Sequence, residues 1–170
     1  MLKVYITGGT LDKEYRQTDG ELVLTRTHMN DILSLGKCSL DVDLEIVMLK
    51  DSLFMDEQDR RKILEKCLNC PSNNILITHG TDTMAETARV LGKAVSGKTI
   101  VLTGAMIPFT FKDSDAVFNT GFALAAAQSL PAGVYIAMNA RIFSWDNARK
   151  NKASGMFEEL QAGGQEITFK

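Results

Sequence analysis

Short apolar runs alternate with helical patterns along this chain, and that alternation restricts the fold more than any other feature. Leu2–Ile6, Ile75–Ile77, Thr99–Leu102 and Val134–Met138 are apolar almost throughout. Strands of that kind are buried on both faces, as in a parallel sheet covered by helices. Val42, Leu44, Ile46 and Met48 alternate with Asp43 and Glu45, which predicts a further strand. Between the strands, Met29, Ile32 and Leu33 fit a short helix ending at Gly36. Asp56 caps a helix with Ile63, Leu64, Cys67 and Leu68 on one face. Thr83-Met84-Ala85-Glu86 reads as a capping box, opening a helix with Met84, Ala88 and Leu91 in one stripe. Ser114 or Asp113 caps a last helix with Val117, Gly121, Leu124 and Gln128 in line. The pattern predicts an α/β fold: a three-layer sandwich with a mostly parallel sheet and helices on both faces, Rossmann- or flavodoxin-like. The 170 residues suffice for one domain with its own core. The segment after Lys150 is mostly polar, with Glu166–Phe169 a short strand.

Charge and cysteine usage exclude several functions. Lys plus Arg number 19 and Asp plus Glu 21, a net charge of −2, which argues against a nucleic-acid binder. No apolar run approaches a membrane span, and Met1–Ile6 reads as a strand rather than a leader. A cytoplasmic protein with no membrane partner is expected. Cys38, Cys67 and Cys70 are too few for a disulfide framework. Cys67 and Cys70 form a CxxC, but at the end of a helical pattern, where a reactive thiolate gains nothing from the helix dipole. With two histidines and no second cysteine pair, no metal site is expected, and no cofactor.

Three strands end almost alike: Ile6-Thr7-Gly8-Gly9-Thr10, Ile77-Thr78-His79-Gly80-Thr81-Asp82-Thr83 and Leu102-Thr103-Gly104-Ala105-Met106. In an open α/β sheet ligands bind outside the carboxyl ends of the strands. An edge lined with glycines and hydroxyls, backed by helix N-termini, suits a small anionic or carbonyl-bearing molecule. No GxSxG elbow, Walker A motif or GxGxxG occurs. His79 is expected to hydrogen-bond the sheet edge. Hydroxyls with charged neighbours remain: Thr10, and Thr81 with Asp82, and a lysine; threonine is a competent nucleophile once a base takes its proton.

At these residues the sequence resembles the bacterial-type L-asparaginases. Thr7-Gly8-Gly9-Thr10-Leu11 is similar to their first signature, and His79-Gly80-Thr81-Asp82-Thr83-Met84-Ala85-Glu86-Thr87 to their second. Leu102–Pro108 and Ser114–Asn119 extend the likeness. The resemblance implies an amidohydrolase that converts free L-asparagine to L-aspartate and ammonia through a threonine acyl-enzyme. It implies Thr10 as nucleophile and Tyr15 as its partner on a mobile flap. Thr81, Asp82 and a lysine would form the second half of the machinery, with Lys150 the best fit and Lys152 the alternative. Asp51, Ser52, Gly80 and Ala105 would line the substrate. Ser52 would hold its α-carboxylate, Asp82 its ammonium, and the Ala105 carbonyl the leaving amide. A homodimer or larger homo-oligomer is implied as well. Longer relatives carry a second domain that supplies an acid to the substrate's ammonium. Residues 1–170 correspond to the first domain alone, so Glu158 and Glu159 are the acids available to replace it. Two other readings use the same pocket: an ammonia-supplying subunit of a synthetic partner, and a sensor without turnover. A sensor has no need of a nucleophile.

Overall fold

The computed structural model describes residues 1–160. Six strands form one sheet: β1 (Leu2–Gly8), β4 (Val42–Lys50), β5 (Asn74–Thr78), β6 (Thr99–Thr103), β7 (Gly133–Met138) and β8 (Arg141–Ser144). Their order is β4-β1-β5-β6-β7-β8, and every neighbouring pair is parallel except β7 with β8. The parallel strands follow the flavodoxin-like order, with the switch of direction between β1 and β5. A hairpin of β2 (Lys13–Arg16) and β3 (Glu21–Leu24) stands apart from the sheet, as does the short pair β9 (Arg149–Lys150) and β10 (Phe157–Glu158).

The helices are α1 (Met29–Leu35), α2 (Glu57–Asn69), α3 (Met84–Ala94) and α4 (Ala116–Ser129). Side chains along each strand alternate between two cores, as the two-residue period requires. Tyr5, Ile75, Ile77, Ile100 and Leu102 meet Ile63 and Cys67 of α2 and Ala88 and Leu91 of α3. Val4, Ile6, Leu76 and Val101 meet Met29 of α1 and Ala123 and Ala127 of α4. The sandwich therefore has three layers, as the alternation of elements predicts.

Several local expectations change. Thr83 is the N-cap of α3 but makes no capping bond; its hydroxyl donates to the Ser52 carbonyl at 2.9 Å, and Glu86 pairs with Arg60 at 2.7 Å. The tertiary partners win over the local box. Asp56 does form a capping box, with Asp59. Ser114 caps α4 by accepting from Ala116 N–H, next to Asp115 at the N-cap. The buried stripe of α4 is Ala116, Asn119, Thr120, Ala123 and Ala127; of the expected line only Leu124 is buried. This helix holds no charged residue, so the sequence does not mark its outer face. Leu68 and Ile46 are exposed, Ile46 because β4 is an edge strand. Cys67 and Cys70 are buried free thiols, and burial pushes the Cys67 thiol up to about 12. The strand expected at Glu166–Phe169 lies outside the described residues. Among the described residues, no helix is long and apolar enough to cross a membrane.

Candidate active site

The three Gly/Thr strand ends meet backbone to backbone. Gly9, at φ 88°, lies so close to Gly80 that a Cβ on it would overlap the Gly80 backbone, and a Cβ on Gly104 would overlap the His79 carbonyl. Both contacts lie at the carboxyl edge of the sheet, the first at the β1/β5 switch. Not every hydroxyl on this edge faces outward. Thr7 donates to the Thr78 carbonyl at 2.7 Å and Thr103 to the Ala137 carbonyl at 2.8 Å. Thr7, Thr78 and Thr103 are fully buried. The Thr7 and Thr103 hydroxyls tie neighbouring strands and the Thr78 hydroxyl is buried, which leaves Thr10 and Thr81 as the hydroxyls of the loops themselves.

Thr10 opens a single 3-10 turn, Thr10–Asp12, directly after Gly9. Thr81 follows Gly80 and precedes α3, whose N-terminus adds partial positive charge to the loop. Lys150 donates to Thr81 Oγ1 at 2.8 Å and to Asp82 Oδ1 at 2.8 Å. Its side chain is 12% exposed, so this ion pair is well shielded on the lysine side. The lysine arrives from far along the chain by a series of anchors. The Trp145 ring lies where a Cβ on Gly92 of α3 would be, and Arg89 of α3 donates to the Ala148 carbonyl at 2.9 Å. Lys150 then pairs in β9 with Phe157 of β10, which is buried beside Phe143. Lys152 is exposed in the following turn, so Lys150 rather than Lys152 meets Thr81.

His79 is fully buried with both ring nitrogens engaged, Nδ1 with the Gly80 carbonyl and Nε2 with Thr87 Oγ1, each at 2.8 Å. Burial pulls its pKa down to about 4, so the ring is neutral at pH 7. It braces the Thr81 loop.

Ser52 is buried and its hydroxyl has no hydrogen-bond partner. It packs against Gly80 so closely that a Cβ on Gly80 would overlap it. A buried hydroxyl without a partner costs free energy, and an acceptor on a ligand would remove that cost. Asp51 uses both carboxylate oxygens within the protein: Oδ1 accepts from Leu53 N–H at 3.0 Å and Oδ2 from Lys13 Nζ at 2.6 Å. Burial opposes ionisation of Asp51, but the Lys13 ammonium and the Leu53 N–H outweigh it and hold the carboxyl below its ordinary range. Ala105 is buried, and Asp115 fixes its loop by accepting from the N–H groups of Met106 and Ile107. Asn119 adds a bond from Nδ2 to the Gly104 carbonyl at 3.0 Å and accepts from Asn139 N–H at 3.1 Å.

Tyr15 sits elsewhere. It is 55% exposed on β2, and its hydroxyl lies over the Gly20 turn of the same hairpin. The root of that hairpin is tied to the Thr10 turn by Asp12, whose Oδ1 accepts from His28 N–H at 2.8 Å and Thr27 Oγ1 at 3.1 Å. Glu158 pairs with Arg149 at 2.8 Å and Glu159 with Arg141 at 3.4 Å, so both acids are spent on neighbouring arginines of the same chain. Sequence reasoning missed Lys13, Asp12 and Asn119. A lysine directly after the Thr10 turn was the available signal for the first, but nothing local tells that it meets Asp51. Among the described residues, no three His, Cys, Asp or Glu side chains converge as a metal site would require.

Comparison with known proteins assigns the chain to a family. The family model described as asparaginase, N-terminal, matches residues 1–163. The L-asparaginase of Thermococcus kodakarensis is 37% identical over 145 residues, which are 83% of this chain and 38% of that one. A glutaminase-asparaginase of Acinetobacter glutaminasificans is 36% identical over 129 residues, 72% of this chain and 38% of its own. The solved structure of the thermostable L-asparaginase from Thermococcus kodakarensis superposes with a TM-score of 0.82 at 26% identity, over 99% of this chain and 56% of that one. The chain thus spans little more than a third of the length of these curated relatives.

Proposed function

The chain belongs to the asparaginase family, and from that premise we propose that it hydrolyses the side-chain amide of free L-asparagine to L-aspartate and ammonia. The observation that carries the reading is the relay Thr81–Lys150–Asp82, two bonds of 2.8 Å beside the Thr10 turn. A hydroxyl bonded to a lysine that is itself bonded to a carboxylate is arranged to move a proton. A protein that merely senses a ligand has no use for it.

In this reading Thr10 Oγ attacks the amide carbon, and its proton ends on the departing nitrogen. Ammonia leaves and an aspartyl ester remains on Thr10. Backbone N–H groups of the Thr10 and Thr81 turns stabilise the oxyanion, helped by the α3 N-terminus. Water then enters on the Thr81 side. Lys150, donating to Thr81 Oγ1, leaves the hydroxyl proton of Thr81 free to direct that water, and the hydrolysis returns Thr10. Ser52 offers its unpartnered hydroxyl to the α-carboxylate, and Asp82 lies open to the ammonium.

Ammonia release from asparagine by the purified chain tests the function, and Thr10→Ala tests the role. Losing the nucleophile should lower turnover by at least ~10⁴-fold with the fold intact, and Thr10→Ser should keep part of the activity. Near-normal turnover by the alanine variant would move the nucleophile to Thr81.

A further inference from the structure

Two ion pairs flank the Thr10 and Thr81 turns. One is Lys150–Asp82 on the Thr81 loop. The other, Lys13–Asp51, joins the end of the Thr10 turn to the Ser52 turn. The two pairs are close enough that Lys150 helps keep Asp51 ionised. Together they form a neutral frame with a positive and a negative charge on each side, and the orphaned Ser52 hydroxyl lies next to the second pair. Lys13 carries three N–H donors and gives one to Asp51. Its side chain is 20% exposed, so the ammonium is sheltered but reachable.

We propose that Lys13 is a specificity-determining residue whose remaining donors bind the α-carboxylate of the incoming amino acid. This rests on the reading of the site as an asparagine amidohydrolase, and it adds what selects the substrate. Asp51 holds Lys13 and the Ser52 turn in register with its two oxygens, so it is a positioning residue, not a substrate contact. A zwitterion then bridges the frame, its carboxylate on Lys13 and Ser52 and its ammonium on Asp82. An amide lacking the carboxylate leaves the Ser52 hydroxyl unpaired and should be refused. A charged hydrogen bond in a sheltered site accounts for about ten- to a hundredfold in affinity.

The test compares L-asparagine with 3-aminopropanamide, which is asparagine without its carboxylate, in the full chain and in Lys13→Met, Lys13→Arg and Asp51→Asn. Binding of L-aspartate is measured alongside by calorimetry. Lys13→Met should raise KM for asparagine and weaken aspartate by about ten- to a hundredfold, with kcat little changed and 3-aminopropanamide unaffected. Lys13→Arg should restore much of the preference. Asp51→Asn, which weakens the anchor of Lys13 but keeps its charge, should lower the preference for asparagine by less than Lys13→Met does. Equal losses on both amides in Lys13→Met, or a larger loss of preference in Asp51→Asn than in Lys13→Met, would reduce Lys13 to a structural tie and overturn the proposal. Wild-type chain that neither releases ammonia nor binds aspartate would overturn the amidohydrolase reading and the proposal with it.

Discussion

The Thr81 loop and the Tyr15 hairpin both follow glycine-rich strand ends and are built in opposite ways. Thr81 is 3% exposed, braced by a buried histidine and by glycine backbones from neighbouring strands. The hairpin is a two-stranded ribbon outside the main sheet, and its tip is held by Arg16 and Asp19 at the surface. Only its root is buried, through Asp12. Isolated ribbons are marginal by themselves, whereas interlocked strand ends have one arrangement. The relay is therefore set by the sheet, whereas the hairpin is held in place by its root alone.

Two glycines of positive φ separate the regions most sharply. Gly9 has φ 88° and Gly20 φ 78°, so an alanine is strained at both. Gly20 has open space but for the Tyr15 hydroxyl, whereas Gly9 is against the Gly80 backbone. Gly9→Ala should cost about 3 kcal/mol or more, strain and overpacking together, and Gly20→Ala about 1–2 kcal/mol. Urea unfolding of both variants checks this, and equal losses would mean that the strand ends are not interlocked.

The next largest effect falls on rate. Thr81→Val and Lys150→Met should each lower turnover by at least ~100-fold, and the double variant should be little worse than either, because the residues act as one relay. Stability should change by less than about 1 kcal/mol, since the Asp82 end of the ion pair is partly exposed. Steady-state kinetics with a thermal melt decides between a relay and a mere brace.

The smallest effect is at the hairpin root. Burial raises the Asp12 pKa, opposed by the His28 N–H and the Thr27 hydroxyl, and Asp12 Oδ2 has no partner. A carboxyl with a raised folded pKa contributes most below its unfolded pKa, and that contribution falls as pH rises through the folded value. Asp12→Asn should flatten this slope and leave stability at neutral pH equal or higher, by about 1 kcal/mol at most. Unfolding free energies of both proteins from pH 4 to 8 measure it; a variant as pH-dependent as the wild type would assign the slope elsewhere.

What the sequence disclosed follows the same division. The buried strands were legible because each is apolar on both faces, and Thr10, Thr81 and Asp82 because they follow strand ends with glycine turns. Lys150 was legible only through resemblance, since its seat depends on Trp145 against Gly92 and on Arg89, more than fifty residues before it. The pairing of Lys13 with Asp51 is not legible in the sequence, because an ion pair between distant turns leaves no periodic trace. The outer face of α4 is not legible because a helix without charges gives its period no direction. Glu86 has the spacing of a capping residue, but its actual partner, Arg60, belongs to another helix and leaves no local sign.

The position of β1 inside the sheet, between β4 and β5, also bears on how the chain acquires its structure. Its two flanking strands are made later, and about 70 residues separate its end at Gly8 from the end of β5 at Thr78. At ordinary rates of synthesis that interval is roughly 4–14 s. Until β5 emerges, the apolar sides of Val4 and Ile6 have incomplete cover, and the turn bearing Thr10 has no Gly80 to rest against. Such long-range parallel pairing is slow to form and prone to aggregation meanwhile. The feature that locks the two threonines together in the finished molecule is the one that delays their meeting on the ribosome.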